Sequence, residues 1–536
     1  MRIVTYRTSI KNNTVLLEES GGEFVVSNDL EKLFSFLLEP YENTIRACWE
    51  LDTTVSLFFR LMEEKACEKL RETHKCYLPP FSIFYVPDKV FSINHIPTKL
   101  KANLYELQQY FPELPEPQNT EELVMLGELL LQELGKMGLK PTTKLTSPIA
   151  IYDECIMSKM DLPQVKDMPV EAAEMAMRCS GRLWIESHQI GHYDIIHDYD
   201  LVSAFPSITK ELVDTRLCEW KQSDKYQKKA VYGYTKCEVT IYDWVVVSPI
   251  IAEVEDGLIS PVGTWETFLT KEELDFIDRH KIGNYKIQDG WWAISKKKGE
   301  LRKPLYAPMT KLLSYKQRSE LQGLLAKRMS TGVYGKFGEE RKEEFGEHFN
   351  PCYFAEISTQ TRLRVAEFLY AHGIGPRVSG KYDTLVHIGV DGVLLTEPVE
   401  NGSSRWKLAY KGEALVVSSG LVYTERTKPK GLRLNDIQEM IARHPRRGYY
   451  AKGVVRRLTL GDSLAQHRLR DIGKEIEFSS SISLIEQEHD RKFSKLPKTG
   501  EALLGNKYKS VPRRMEGDEC QKSSRGLSEQ QQKPQE

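Results

Sequence analysis

The run HYDIIHDYD at 192–200 constrains this chain most, because its strand-like apolar pattern delivers a carboxylate, Asp200, straight into the turn sequence Ser203-Ala204-Phe205-Pro206-Ser207. Metal-binding oxygens then stand at a strand end, with an aromatic wall at Phe205. Far downstream, LVHIGVDGVLL at 385–395 places a second lone carboxylate, Asp391, inside an otherwise apolar strand–turn–strand. Neither aspartate belongs in a plain core. Two carboxylates converging from distant segments suit two-metal phosphoryl chemistry, since Mg²⁺ prefers oxygen ligands and must leave positions for phosphate and water.

At 536 residues, with 40% hydrophobic and 28% charged residues, the chain has room for several domains with large cores. The formal net charge of −1 hides an uneven distribution: basic residues gather in 295–345 and 426–475, acidic ones in 105–135 and 250–280. A neutral total is therefore compatible with a nucleic-acid partner. The nine cysteines are scattered without a Cys-x-x-Cys pair, which predicts reduced thiols and argues against zinc. The N-terminal MRIVTYRTSIKNN lacks an apolar signal core, and no apolar run approaches the roughly 20 residues of a membrane span. A cytoplasmic protein without membrane contact is expected.

The texture changes several times. Residues 1–145 mix short strands (EFVVS, FSIFYV, KVFSI) with helices and end in the amphipathic stretch Glu121–Met137. GLKPTTKLTSPIAI at 138–151 reads as a connector. β-Rich runs dominate 185–270, and LTKEELDFIDRH opens a helix with Thr270 as N-cap and Glu273 completing a capping box. Helices are expected from about Leu312 to Lys336 and from about Phe354 to His372, strands over 375–425, and a basic helical or mixed region beyond Lys428. The stretch 507–536 is too polar to bury enough surface to order itself.

On the helix YKQRSELQGLLAKRMSTGVYGKFG at 315–338, Lys327, Thr331 and Tyr334 share one face, extended by Glu320 and Gly323, while Leu321, Leu325 and Met329 lie opposite. A lysine presented this way can act as a point charge on a triphosphate. Taken alone it is more often an ordinary surface lysine. Gly335 removes a side chain where a base pair could approach, and Lys316, rather than Arg318, is placed to supply a second positive charge.

Taken in order, Asp200 to Ser207, then Lys327-x-x-x-Thr331-x-x-Tyr334-Gly335-Lys336-Phe337, then Asp391 in its apolar hairpin resemble the three polymerase motifs of family B DNA polymerases, with the flavour of the protein-primed viral and linear-plasmid subgroup. The similarity runs from about residue 175 to 430. Thr331 and Gly332 replace the family's Asn-Ser, and Gly389-Val390-Asp391-Gly392 keeps only the second aspartate of Asp-Thr-Asp-Ser. RCSGRLW at 178–184 resembles a degenerate Tyr-x-Gly-Gly element, which would bring Ser180 and Gly181 to DNA. RWKLAYKGEALVVSSGLVYTE at 405–425 resembles the strand pair that touches the primer end, with Tyr423 kept and Leu421 in the lysine's place; a core role for Tyr423 weighs equally.

The resemblance implies an α+β right-hand polymerase with an N-terminal α/β exonuclease-like domain over 1–145, palm over 146–304 and 341–428, fingers over 305–340, thumb over 429–506 and a tail over 507–536. It implies catalytic Asp200 and Asp391, which with the Leu201 carbonyl would hold two Mg²⁺ (or Mn²⁺). It further implies a nucleotide pocket of Leu201, Phe205, Lys327, Thr331, Tyr334 and Lys316, DNA contacts at Ser180, Gly181, Gly335 and Tyr423, and as partners a DNA primer–template, dNTPs and a terminal-protein primer. An aromatic ring at Phe205 would clash with a 2′-hydroxyl, so deoxynucleotides are expected. CWELDTT at 48–54 resembles the first exonuclease motif with its acids exchanged, as Glu50 and Asp52; VMLGE at 124–128 is a substituted later motif, and no Asn-x-x-x-Asp partner stands out, which describes an exonuclease remnant. The rival readings are a non-catalytic, polymerase-derived DNA-binding replication protein and a nuclease acting through Glu50 and Asp52. Trp291-Trp292 reads as core rather than a stacking platform. The basic stretches at 296–303 and 443–457 read as phosphate-following.

Overall fold

The computed structural model describes residues 2–425 apart from 12–13, 39–43, 87–89, 141–144, 190, 255–256, 297–300, 342–343, 376–383, 401–403 and 419–420, and beyond these residues 447–458, 463–464, 466, 471, 475–485, 491–493 and 510–512. Two compact units interleave along the chain: the first comprises 1–161, 310–333 and 452–480, the second 162–309, 334–451 and 481–536.

The first unit is built on eight strands: β1 (Arg2–Lys11), β2 (Thr14–Glu19), β3 (Phe24–Ser27), β4 (Thr44–Cys48), β5 (Lys75–Leu78), β6 (Phe81–Val86), β7 (Val90–His95) and β8 (Leu100–Glu106). They form one sheet in the order β3-β2-β1-β4-β8-β7-β6-β5, parallel where β4 meets β1 and β8 and antiparallel elsewhere. Helices α1 (Leu30–Leu37) and α2 (Leu51–Phe59) supply Phe34, Phe58 and Phe59, which meet Phe81 and Phe91 of the sheet edge-on or stacked in an aromatic core, and α3 (Glu64–Thr73) adds Cys67 and Leu70. The expected amphipathic stretch is α4 (Thr120–Lys136), where Gly127 lets the helix approach β1 so closely that an added Cβ would lie 2.5 Å from Ile3 Cδ1. The connector reading fails at its end. Ser147 accepts from Ala150 N at 3.3 Å and Pro148 occupies the first turn, so SPIAI starts α5 (Pro148–Cys155).

The second unit opens with α6 (Val170–Cys179) and holds two antiparallel sheets. One comprises β9 (Glu186–Ser187), β10 (Gly191–Leu201), and, after the second sheet in sequence, β19 (Leu385–Ile388), β20 (Gly392–Leu395), β21 (Trp406–Ser418) and β22 (Leu421–Thr424), in the order β22-β21-β10-β20-β19-β9. The other orders β11 (Cys218–Gln222), β16 (Gly283–Ser295), β12 (Ala230–Ile241) and β15 (Gly263–Thr270) side by side, with the small hairpins β13–β14 (Ala252–Val254, Gly257–Ile259) and β17–β18 (Glu340–Arg341, Glu344–Phe345) apart from it. Trp292 and Trp265 are wholly buried in this second sheet, as expected for Trp292 from the sequence. The remaining helices are α7 (Ala204–Thr209), α8 (Lys271–His280), α9 (Tyr306–Ser314), α10 (Glu320–Phe337) and α11 (Pro351–Ala371). Among the described residues no helix is long and apolar enough to cross a membrane.

The helix expected from Leu312 to Lys336 is broken. A 3₁₀ turn, Tyr315–Gln317, follows α9; Arg318 leaves helical geometry and Ser319 Oγ accepts from Gln322 N at 3.2 Å, starting α10 afresh. Lys316 therefore stands outside the helical phase that places Lys327, half-buried in the turn, and does not share that lysine's face. Beyond Lys428 the described residues are mostly strands, with helical residues at 463–464 and 471: Arg447–Arg457 pairs with Glu475–Ile485, and Arg491–Phe493 with Ser510–Pro512, the latter inside the stretch expected to lack order. The rest of 507–536, and 426–446, lie outside the described residues.

Thr270 caps α8 as expected: Glu273 Oε2 accepts from Thr270 N at 2.8 Å while Thr270 Oγ1 accepts from Glu273 N at 3.3 Å. The other Glu273 oxygen reaches Arg362 of α11 at 2.6 Å, both side chains about 1% exposed. The guanidinium also donates to Pro249 O at 2.7 Å and to Arg182 O, so each of its three nitrogens has an acceptor in the protein. Removing one partner strands the other charge. Arg362→Met should cost about 3–5 kcal/mol in denaturant unfolding, and the double variant Arg362→Met/Glu273→Gln less than the single one.

Candidate active site

Alternation along β10 assigns the two faces of the six-stranded sheet. Tyr199 and Leu201 point to the α11 side, 3% and 2% exposed, into a core with Val393, Leu395, Phe368 and Trp406. Phe368 and Trp406 stack there at 4.1 Å and 24°, and the Tyr199 hydroxyl donates to Val399 O at 3.1 Å. Asp198 and Asp200 consequently face the other way, both half-buried. Toward the start of the strand that face is closed by Ile196, Val386, Leu394, Ala414 and Val416, which leaves the carboxylate end as its open part.

The second carboxylate arrives on the β19–β20 hairpin. Ile388 opposes Val393 and Gly389 N donates to Gly392 O at 2.9 Å, so Val390 and Asp391 form the tip. That tip docks on the end of β10: Leu201 N donates to Asp391 O at 2.8 Å, and Asp200 lies directly opposite Gly392. A Cβ at Gly392 would come within 3.0 Å of Tyr199 O and 3.8 Å of Asp198 Oδ1, so glycine keeps the ground between the acids clear. Asp198 was legible only as the period-two partner of Asp200 in HDYD, and attention to the motif aspartate passes over it.

Lys407 on β21 is a second residue that sequence reasoning missed. It opposes Asp200 across the strand pair, and its Nζ lies 2.9 Å from Asp200 Oδ2 with 56% of its side chain exposed. An ammonium thus stands where a cation is favoured. The donor set, two carboxylates and the backbone carbonyl of the otherwise buried Leu201, is of hard oxygens and fits Mg²⁺ or Mn²⁺. Among the described residues no group of three or more His, Cys, Asp and Glu is arranged to hold a metal.

Phe205, on α7, starts a three-ring stack. Its ring lies 4.6 Å from that of Tyr334, which lies 4.5 Å from Phe354 of α11. Burial pushes the Tyr334 phenol up to about 12, so it stays protonated as a donor. Gly181, with φ +67°, passes 3.7 Å from the Phe354 ring at its Cβ position, which brings the 178–184 element to this wall; Ser180 instead ends α6, its hydroxyl bonded to Met177 O at 2.7 Å. Arg364 Nη1 donates to Ser207 Oγ at 2.7 Å and anchors α7 from beneath.

Lys327, Thr331 and Gly335 form the exposed edge of α10, and a Cβ at Gly335 would meet no protein atom within 4 Å. Lys327 and Thr331 fall in the first unit, Tyr334 and Gly335 in the second. Gly332 has a packing reason, since its Cβ would lie 2.7 Å from Ile149 of α5. Tyr423 is 3% exposed with its hydroxyl buried and unpartnered, the core placement and not a surface offered to DNA.

In the first unit Glu50 and Asp52 flank the start of α2, at the end of β4. Glu50 accepts from Thr53 and Asp52 from the Tyr85 hydroxyl. A third acid, Glu106 at the end of β8, opposes Cys48 and is 5% exposed. It accepts from Leu51 N at 2.9 Å and so caps α2. The signal for it was Asn103-Leu104-Tyr105-Glu106, shorter by one residue than the partner motif sought in the sequence. Glu128 is exposed on α4.

No protein-family model matches the chain, and no curated protein matches its sequence. Solved structures do match, and they define the fold as that of a DNA polymerase. It is similar to Phi29 DNA polymerase complexed with primer-template DNA in a post-translocation binary complex (TM-score 0.57, 11% identity, 90% of this chain and 100% of that one). It is similar also to Phi29 DNA polymerase with primer-template DNA and incoming nucleotide substrates (TM-score 0.56, 12% identity, 90% and 99%). At these identities the likeness establishes fold alone.

If the Lys407 ammonium holds a cation position at Asp200, its removal should ease metal entry. Lys407→Gln is expected to tighten Mn²⁺ binding, titrated by electron paramagnetic resonance without substrate, by about two- to fivefold, the scale of an exposed ion pair.

Proposed function

We propose that this chain is a template-directed DNA polymerase that adds deoxynucleotides to a primer 3′-hydroxyl. The observation that supports the reading is the docking of the Asp391 hairpin tip on the end of β10, which brings the backbone of Asp391 next to that of Asp200 and Leu201 at the end of an antiparallel sheet backed by helices. In this reading the six-stranded sheet is the palm, the segment around 305–340 the fingers and the region after 429 the thumb of a right-hand architecture, with the N-terminal sheet as an exonuclease-like domain.

Asp200, Asp391 and the Leu201 carbonyl would hold two Mg²⁺, which supply alignment of the 3′-hydroxyl with the α-phosphate and neutralise charge on the leaving pyrophosphate. The chain's own contribution is positioning. Phe205, fixed by Tyr334 and Arg364, walls the sugar site; Lys327 presents a point charge for the triphosphate, and Gly335 leaves space for a base pair. Priming from a terminal protein is the same reading's further inheritance. The N-terminal acids, held by Thr53, Tyr85 and Leu51 N, fit a remnant in which proofreading is lost.

One observation favours the non-catalytic reading: Gly389 leaves the site one acid short while Lys407 neutralises Asp200. A labelled primer–template with Mg²⁺ and dNTPs separates the two. Extension is expected, and Asp200→Asn and Asp391→Asn should each lower it by about three orders of magnitude or more with unfolding midpoints unchanged; a wild type that binds the duplex and extends nothing would establish the binding protein. Degradation of single strands from the 3′ end, lost in Asp52→Asn, would show a live exonuclease.

The sugar wall makes a separate prediction. Phe205→Ala should reduce discrimination against ribonucleotides by about tenfold to a hundredfold in single-nucleotide insertion, with dNTP insertion far less affected. Equal use of both classes by the wild type would remove this role from Phe205.

A further inference from the structure

The antiparallel half of the N-terminal sheet has one face that nothing in the polymerase reading uses. Period-two alternation sends Phe81, Ile83 and Tyr85 into the aromatic core and Ser82 and Phe84 outward. Tyr85 is the residue that bonds Asp52, so the outward face is the one turned away from the Glu50–Asp52 pair.

On that face the registers build two rows across four strands. Tyr77, Ser82, Asn94 and Lys101 oppose one another in the first, and Lys75, Phe84, Ser92 and Asn103 in the second. The rows floor a depression of about 530 Å³, to which α3 adds Lys69. Three lysines therefore surround it and no carboxylate lines it. None of the three makes an ion pair among the described residues. Tyr77 is 58% exposed and sits beside the half-buried Phe84 on the next strand. A solvated sheet face ordinarily mixes both signs of charge and keeps large aromatic rings inward. This one gathers a single sign and two rings.

We propose that this face is a binding site for single-stranded DNA, separate from the proposed active site. The chemistry of the occupant follows from the parts. Lysines on the rim match backbone phosphates, the two rings offer stacking surfaces for bases, and Ser82 and Asn94 supply hydrogen bonds that every base edge can use. Four strands at about 4.8 Å spacing give a platform about 14 Å wide, room for about two or three stacked bases. A duplex has its bases paired and stacked, so Tyr77 and Phe84 would find no free base face there. The choice of DNA over RNA rests on the polymerase reading; the single-stranded nucleic-acid chemistry does not.

The test uses the full chain, without Mg²⁺, and a short oligothymidylate carrying 5-iododeoxyuridine. Irradiation followed by peptide mapping should place the adduct on Tyr77 or Phe84. The triple variant Lys69→Ala/Lys75→Ala/Lys101→Ala should weaken oligothymidylate binding about tenfold and reduce the slope of log K against log salt by about 2, three phosphate contacts at about 0.7 each. Tyr77→Ala should weaken binding with the salt slope unchanged. Adducts confined to other parts of the chain, or an unaltered slope in the triple variant, would overturn the site. Tighter binding of oligouridylate at Tyr77 would overturn its assignment to DNA. Primer extension measured in parallel keeps the two conclusions apart: a chain that extends nothing yet yields the Tyr77 adduct loses the polymerase reading and keeps this one.

Discussion

The hydrogen bond from Leu201 N to Asp391 O fixes the candidate active site, because it locks the register in which the hairpin tip meets β10. Side-chain direction in a strand reverses at each residue, so a slip of one position would drive Asp200 against α11 and bring Tyr199 or Leu201 to the open face. Burial enforces the observed register from behind. Tyr199, Leu201, Val393 and Leu395 fill one apolar layer with Phe368 and Trp406, and none can turn outward without losing it. The polar face inherits its order from the apolar one. Hydrophobic packing and backbone pairing thus hold the chain at Asp200 and the chain at Asp391 next to each other.

Much of this was legible in the sequence where the signal is local. The Thr270–Glu273 capping box, the α11 helix, the strands around Asp200 and Asp391 and the amphipathic α4 each follow from a pattern a few residues long. What escaped depends on neighbours far away in the chain. No periodicity in 312–336 announces the break at Arg318, because Ser319 acts as a cap only once the chain has turned there, and Lys316 is misplaced for that reason. The glycine that stands for serine at 332 looks like erosion of a motif, yet its cause is the close approach of Ile149. Lys407 and Asp198 were invisible as site residues until strand pairing set one opposite Asp200 and the other beside Gly392.

The two sets of acids differ in what they are bonded to. At the start of α2, Glu106 accepts from a backbone N–H, Glu50 from a threonine and Asp52 from a tyrosine, so each acid is tied into the protein's own hydrogen bonding. At the end of β10, Asp200 meets an exposed lysine whose long side chain can swing into solvent at little cost. Glycine at 392 keeps the space beside it open. The first arrangement is a finished structural network; the second is one that a stronger cation can enter. That difference, rather than the count of acids retained from either motif, is what the proposed function rests on in distinguishing the six-stranded sheet from the N-terminal acids.

A near-zero net charge is the sum of local decisions of opposite sign. Around Asp200 and Asp391 the chain concentrates negative charge where a divalent cation would be held; around Tyr77 and Phe84 it concentrates lysines and excludes carboxylates. Over a screening length of about 8–10 Å in physiological salt, each patch presents its own sign to what approaches it, and the total has no influence on either. Phosphate backbones are drawn directly to the lysine face. In the proposed reading, attraction at the aspartate face would require divalent cations, while attraction to the lysine face would fall with any added salt. The opposite ionic responses of the two faces follow from side chains fixed by ordinary strand alternation, the same rule that hides Tyr199 and Tyr85 in their cores.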